Sequence, residues 1–131
     1  MPGAHAQLLE LARRLQAPIA HTSRAKDFVE PDNPYNMGMT GIFGIESGFH
    51  TLMECDTLLL LGADFAWGQF YPDKATIIQV DRDGSHLGRR HPVSLAWSVT
   101  SHRRWTRCCR CCRRARTAVS WTSASGVATR R

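Results

Sequence analysis

The 131-residue sequence predicts an α/β protein, a parallel sheet with helices over both faces. Three observations point that way. Amphipathic segments alternate with short segments that are apolar throughout, the apolar segments end in glycine or in acids, and the pattern stops near residue 95, where the composition changes. From Met1 to Leu95 eight Lys and Arg face eleven Asp and Glu, a net charge of 8 − 11 = −3, whereas Ala96 to Arg131 holds nine arginines and no acid, a net of +9. The overall +6 therefore belongs to the tail.

The elements follow in order. AHAQLLELARRLQ (4–16) places Leu8, Leu11, Ala12 and Leu15 at helical spacing with Glu10, Arg13 and Arg14 towards solvent, so a helix is expected. APIAH (17–21) follows as a short buried strand. Residues 22–44 are rich in Asp, Asn, Pro and Gly and too long for a plain connection; loops of that length in a compact domain are usually functional or disordered. IESGFHTLMECD (45–56) reads as a helix, TLLLLGAD (57–64) as a fully buried strand and ATIIQVDRD (75–83) as another strand ending in acids. The chain suffices for one modest domain, and the first 95 residues are near the lower end for a self-sufficient core. Its longest apolar run, TLLLLGA, is far short of the roughly 20 residues of a membrane-spanning helix, and Met1 is not followed by the pattern of a signal peptide. Cys55 reads as a small core residue, consistent with a reducing cytoplasm.

Ligands of such sheets collect at the carboxyl ends of the strands. Those ends carry Gly38 and Gly41 in the long loop, Gly62 after one strand and Asp81 after the next. Glycine lets a backbone N–H approach a phosphate or ring, and a carboxylate there can take the hydroxyls of a sugar; turn geometry and a simple cap explain the same residues. Arg24 and Lys26 precede the loop glycines and suit either a phosphate or a solvated face. His50, one helical turn from Glu46 and from Glu54, is expected to pair with those carboxylates and not to bind metal. His86 precedes and His91 lies within the basic GRRHP turn, whose Arg89 and Arg90 suit solvent or a neighbouring domain.

The run from His21 to Val93, with DNPY, GMTG, SGFHT, DTLLLLG, FYP and IIQVD in order, resembles the central domain of the thiamine-diphosphate-dependent pyruvate dehydrogenase (quinone) or pyruvate oxidase family, relatives of the acetolactate synthases. The likeness covers residues 4–95 nearly continuously. It implies a Rossmann-like, doubly wound parallel sheet holding FAD in extended form. Gly38, Met39, Thr40 and Gly41 would wrap the cofactor, Gly62, Ala63, Asp64, Phe65 and Ala66 would line it, and Asp81 would bond its sugar portion. It also implies a strand and glycine turn before the first helix; Met1 falls inside that turn, so an incomplete sheet with its first strand missing is expected. The parent reaction would be decarboxylation of pyruvate at thiamine diphosphate and Mg²⁺, with electrons passing through FAD to a quinone. The parent is expected to be a homo-oligomer, a tetramer by resemblance, whose membrane contact for quinone would not involve this segment. No thiamine-binding Gly-Asp-Gly motif is present, so no catalytic or metal residue and no turnover are expected from this chain alone. The alternative is a cofactor-free scaffold domain of an acetolactate synthase-like enzyme.

The tail, 96–131, is expected to be irregular and not a domain. Cys108, Cys109, Cys111 and Cys112 are too closely spaced for an ordinary zinc site. The arginines, interleaved with Trp97, Trp105 and Trp121, would attract nucleic acid, yet no lysine accompanies them. Read one nucleotide out of frame, Trp105-Thr106 forces Asp, and each Cys-Cys pair forces an apolar residue followed by Leu. WTRCCRCC thus admits LDALLPLL, an amphipathic helix. A frame change near codons 95–96 accounts for the tail best, and no nucleic-acid partner is expected.

Overall fold

A computed structural model describes residues 2–64 and 67–99, together with the backbone of 118–121 and 127–128. Helix α1 (Pro2–Leu15) leads to β1 (Ile19–His21), a short α2 (Lys26–Val29), β2 (Asn36–Met39), α3 (Glu46–Met53), β3 (Thr57–Leu61), β4 (Thr76–Asp81) and β5 (Leu95–Ser98). The segments β6 (Ala118–Trp121) and β7 (Val127–Ala128) complete the set. All join one sheet in the order β2-β1-β6-β7-β3-β4-β5. The β1–β2, β3–β4 and β4–β5 ladders are parallel, as are those of β6 with β1 and β3. Only β7 runs against its neighbours.

The two-residue period of a strand divides the core between the faces. Ile19 and Leu61 point to one side, where Leu8, Leu11, Ala12 and Leu15 of α1 cover them together with Val29. Ala20, Leu58, Leu60 and Ile77 point to the other, against Leu52 of α3, Cys55 and Tyr71. Strands apolar at every position thus belong to a sheet wound on both faces, as the sequence predicts. The polar side of α1 is held by Glu10, which accepts hydrogen bonds from Arg13 at 2.8 Å and Arg14 at 2.5 Å. These bonds lower the Glu10 pKa to about 2.

Two strands escape the hydrophobic pattern. Strand β2 is Asn-Met-Gly-Met, inside the segment expected to be loop, and exists because its backbone pairs with β1 through Ile19↔Asn36, Ala20↔Gly38 and His21↔Met39. Strand β5 spans the boundary drawn between 95 and 96 and follows β4 from Ile78↔Leu95 to Asp81↔Ser98. The tail, expected to be irregular, contributes β6 and β7 to the sheet. No helix among the described residues is long and apolar enough to cross a membrane.

Candidate functional site

Connections leaving the carboxyl ends of β1 to β4 enclose an open cavity of about 430 Å³, within the usual range for ligand sites. Thr22, Ser23 and Arg24 enter from β1; Met39, Thr40, Gly41, Ile42 and Phe43 from β2; Gly62, Asp64 and Trp67 from β3; His86 and Arg89 from beyond β4. The sheet order places this cavity over the position where the winding reverses, the place at which open α/β sheets take ligands.

The wall beyond β2 is made from backbone. Thr40 N–H donates to the His21 carbonyl at 2.8 Å, Ile45 N–H to the Met39 carbonyl at 2.9 Å and Gly44 N–H to the Gly41 carbonyl at 2.8 Å, drawing the loop into a tight hook. Gly38 and Gly41 hold φ of +92° and +97°, a region open to glycine and costly for a residue with Cβ. Helix α3 sits so close behind the hook that a Cβ on Gly48 would lie 2.4 Å from the Met39 carbonyl oxygen. Within this wall Thr40 is 3% exposed, and its hydroxyl has no hydrogen-bond partner among the described residues. A buried hydroxyl without a partner is rare and costly, and here it borders a cavity. Phe43, 78% exposed, and Trp67, 42% exposed, contribute aromatic surface at the rim.

The opposite wall is made from charged side chains. Asp64 pairs with Arg89, and Arg90 Nε lies 3.4 Å from its second oxygen, Oδ1, without the alignment of a hydrogen bond. Beneath it Gln79 is 3% exposed and fully engaged: its amide donates to the carbonyls of Ala63 at 2.8 Å and His86 at 3.2 Å, and its oxygen accepts from Gly88 N–H at 2.8 Å. One neutral side chain therefore ties β4 to the end of β3 and to the turn that presents His86 and Arg89.

Of the residues singled out from sequence, Met39, Thr40, Gly41, Gly62 and Asp64 line the cavity. Gly38 is buried behind it, and Ala63 is packed in the core. Phe65 and Ala66 lie outside the described residues, as do Cys108, Cys109, Cys111, Cys112 and the nine arginines of the tail. Asp81 is 5% exposed and does not line the cavity. Its carboxylate accepts from Asp83 N–H at 2.9 Å and lies 3.6 Å from His86 Nδ1, so it touches the site through His86. His50 has Glu46 at 3.7 Å and Glu54 at 3.5 Å, the pairing expected from sequence. No group of three or more His, Cys, Asp or Glu able to hold a metal occurs among the described residues. Thr22, Ser23, Ile42, Phe43 and Trp67 were not legible as site residues; a run of exposed apolar residues beside GMTG was the one available signal.

Fold and cavity together define a doubly wound α/β domain with an open cavity across the carboxyl ends of its strands. Residues 1–100 match the family described as thiamine pyrophosphate enzyme, central domain, and the chain belongs to that family. It is 53% identical over 93 residues to a 42.6 kDa protein of the isoamylase 3' region of Pseudomonas amyloderamosa, covering 71% of this chain and 24% of that protein. It is 36% identical over 94 residues to YdaP of Bacillus subtilis (strain 168), provisionally named a thiamine pyrophosphate-containing protein, covering 72% of this chain and 16% of YdaP. It is 39% identical over 92 residues to the acetolactate synthase isozyme 1 large subunit of Escherichia coli (strain K12), covering 66% of this chain and 16% of that subunit. The chain thus spans a quarter or less of the length of these relatives.

Proposed function

We propose that this chain is the cofactor-holding central domain of a pyruvate-converting thiamine-diphosphate enzyme and that its cavity takes FAD in extended form. The observation that carries this reading is the unpartnered, buried Thr40 hydroxyl bordering a ligand-sized cavity at the strand ends. Thr40 would hydrogen-bond the cofactor, the Gly41 and Gly62 backbones would let it approach closely, and Phe43 and Trp67 would cover a flat ring. Arg24, exposed on the rim and without an ion pair among the described residues, suits a phosphate. Bound FAD would supply two-electron chemistry. The residues of this chain bind and orient it, and the thiamine-binding parts of the parent would supply the reaction. That parent reaction is oxidative decarboxylation of pyruvate, with electrons passed through FAD to a quinone. The likeness to an acetolactate synthase subunit favours a second reading, in which the domain serves a non-oxidative thiamine enzyme as a scaffold.

Calorimetric titration of the full chain with FAD tests this. Saturable binding is expected, weakened about tenfold in Thr40→Val, as for one hydrogen bond lost to a buried group. Absence of FAD binding by the wild-type chain would overturn the flavin assignment and leave the scaffold reading.

A further inference from the structure

His21 ends β1 at 0% exposure, a buried titratable side chain directly before the Thr22–Arg24 stretch that enters the cavity. Both its ring nitrogens face oxygens. Nδ1 lies 3.1 Å from the Thr22 carbonyl, and Nε2 lies 3.1 Å from a carboxylate oxygen of Glu30. A neutral imidazole carries one N–H and a charged one carries two, so only the protonated ring donates to both. The other oxygen of Glu30 accepts from the Lys26 ammonium at 2.5 Å, which holds the carboxyl below its ordinary range, and His21 adds to the effect. The remaining charged groups near this side of β1 are engaged elsewhere or solvated. Helix α1 carries Glu10, Arg13 and Arg14 in an exposed cluster of their own and His5 edge-on to Phe28, Asp27 of α2 is exposed, and β2 brings the uncharged Met39 and Thr40. On the opposite face Glu46, His50 and Glu54 of α3 pair with one another.

When the ring holds a single proton, it goes to the Glu30 side, because a hydrogen bond to a charged acceptor is the stronger. Nδ1 then turns a lone pair on the Thr22 carbonyl. That carbonyl also accepts the Ala25 N–H at 2.9 Å and so anchors the turn carrying Ser23 and Arg24. The hook at Thr40 is indifferent to the change, since Thr40 N–H donates to the His21 backbone carbonyl and not to the ring. We propose that His21 is a positioning residue of the cavity: its second ring proton fastens the Thr22–Arg24 turn, so the site binds its ligand more tightly with the ring charged than with the ring neutral. The proposal rests on the reading above for its ligand, FAD, whereas the hold of the ring on the turn exists without one.

Calorimetric titration of the full chain with FAD between about pH 5.5 and 8.5, a span that brackets histidine titration, tests the proposal. Affinity is expected to fall about tenfold as pH rises, the effect of one hydrogen bond. Without ligand, hydrogen-exchange protection of the Ala25 amide, corrected for the intrinsic pH dependence of exchange, is expected to fall about fivefold over the same span. His21→Asn sets an amide where Nδ1 stands and should bind tightly at every pH, whereas His21→Gln sets one where Nε2 stands and should bind at the weak limit throughout. A flat wild-type profile would overturn the proposal. So would a slope that persists in either variant, which would belong to His86 on the cavity wall. If FAD binds at no pH, the flavin reading falls by itself and the ligand-free measurement decides: Ala25 protection that ignores pH overturns the role of His21. If neither variant folds, wild-type Ala25 protection must follow the titration of the His21 ring observed by NMR, and a mismatch overturns the proposal equally.

Discussion

The two walls of the cavity reach one purpose by different physics. Beyond β2 the loop is shaped by backbone hydrogen bonds, positive-φ glycines and a helix pressed against a carbonyl. Opposite it, Asp64, His86 and Arg89 are side chains gathered from distant stretches and set by ion pairs and by Gln79. The backbone wall is fixed by sterics that salt and pH leave alone. Its partner rests on half-exposed arginines around a mostly buried Asp64, and counter-ions screen their attraction in part. A site made this way keeps one rigid surface against which a ligand can be oriented and one surface whose affinity responds to solution conditions.

Four measurements would sharpen or break that contrast. The largest effect concerns Cys55, at the foot of the helix behind the backbone wall. Its thiol is buried, donates to the Leu52 carbonyl at 3.1 Å and is pushed up to about 12, first by burial and then by neighbouring Asp56. The thiolate fraction near pH 8 should therefore fall about a thousandfold below that of a free cysteine. Alkylation followed by peptide mapping should leave Cys55 unlabelled until denaturant is added, and native labelling would show that the wall is not closed from behind. Next, Gly48→Ala should destabilise the protein by about 1–3 kcal/mol in urea denaturation, because its Cβ meets backbone that cannot turn aside. A neutral result would mean that α3 does not press on Met39.

A smaller effect belongs to the charged wall. Arg89→Ala should cost less than about 1 kcal/mol at low salt and nothing measurable at high salt, since the pair is only partly shielded from water. Equal losses at both ionic strengths would erase the contrast between the walls. The smallest lies away from the site, on α1. Glu10 has a lowered pKa in the folded state, about 2 against an ordinary 4.5, so its contribution is complete above pH about 4.5 and fades as pH falls towards 2. Glu10→Gln should flatten that part of an acid-unfolding curve, and an unchanged curve would mean that the Arg13 and Arg14 bonds are lost to solvent.

The contrast also explains what was legible in the sequence. Helix α1 and strands β3 and β4 announce themselves because their partners are generic: any apolar face will do, and periodicity suffices. The glycines at 38, 41 and 62 are visible for a related reason, since a positive φ favours one residue type. Strand β2 is hidden because Asn-Met-Gly-Met has no strand-like composition and is held only by its pairing to β1. The charged wall is hidden too, since nothing local announces that Asp64 will meet Arg89 across 25 positions. Asp81 is conspicuous as an acid at a strand end; its carboxylate accepts from Asp83 N–H and lies beside His86, which itself lines the cavity.

Gln79 carries a consequence on a slower clock. Its uncharged amide joins β3, β4 and the 86–88 turn whatever the pH. Hydrolysis of that amide to a carboxylate would change its shape hardly at all, yet it would set an oxygen in place of the nitrogen that faces the carbonyls of Ala63 and His86. Acceptor would then face acceptor in a buried space, and the turn presenting His86 and Arg89 would come loose. An exposure of only 3% keeps water from the amide, so the residue that fastens the charged wall is shielded by the packing it helps to maintain. The useful lifetime of the site in a stored or ageing sample is therefore set by how often β4 opens, rather than by the chemistry of glutamine.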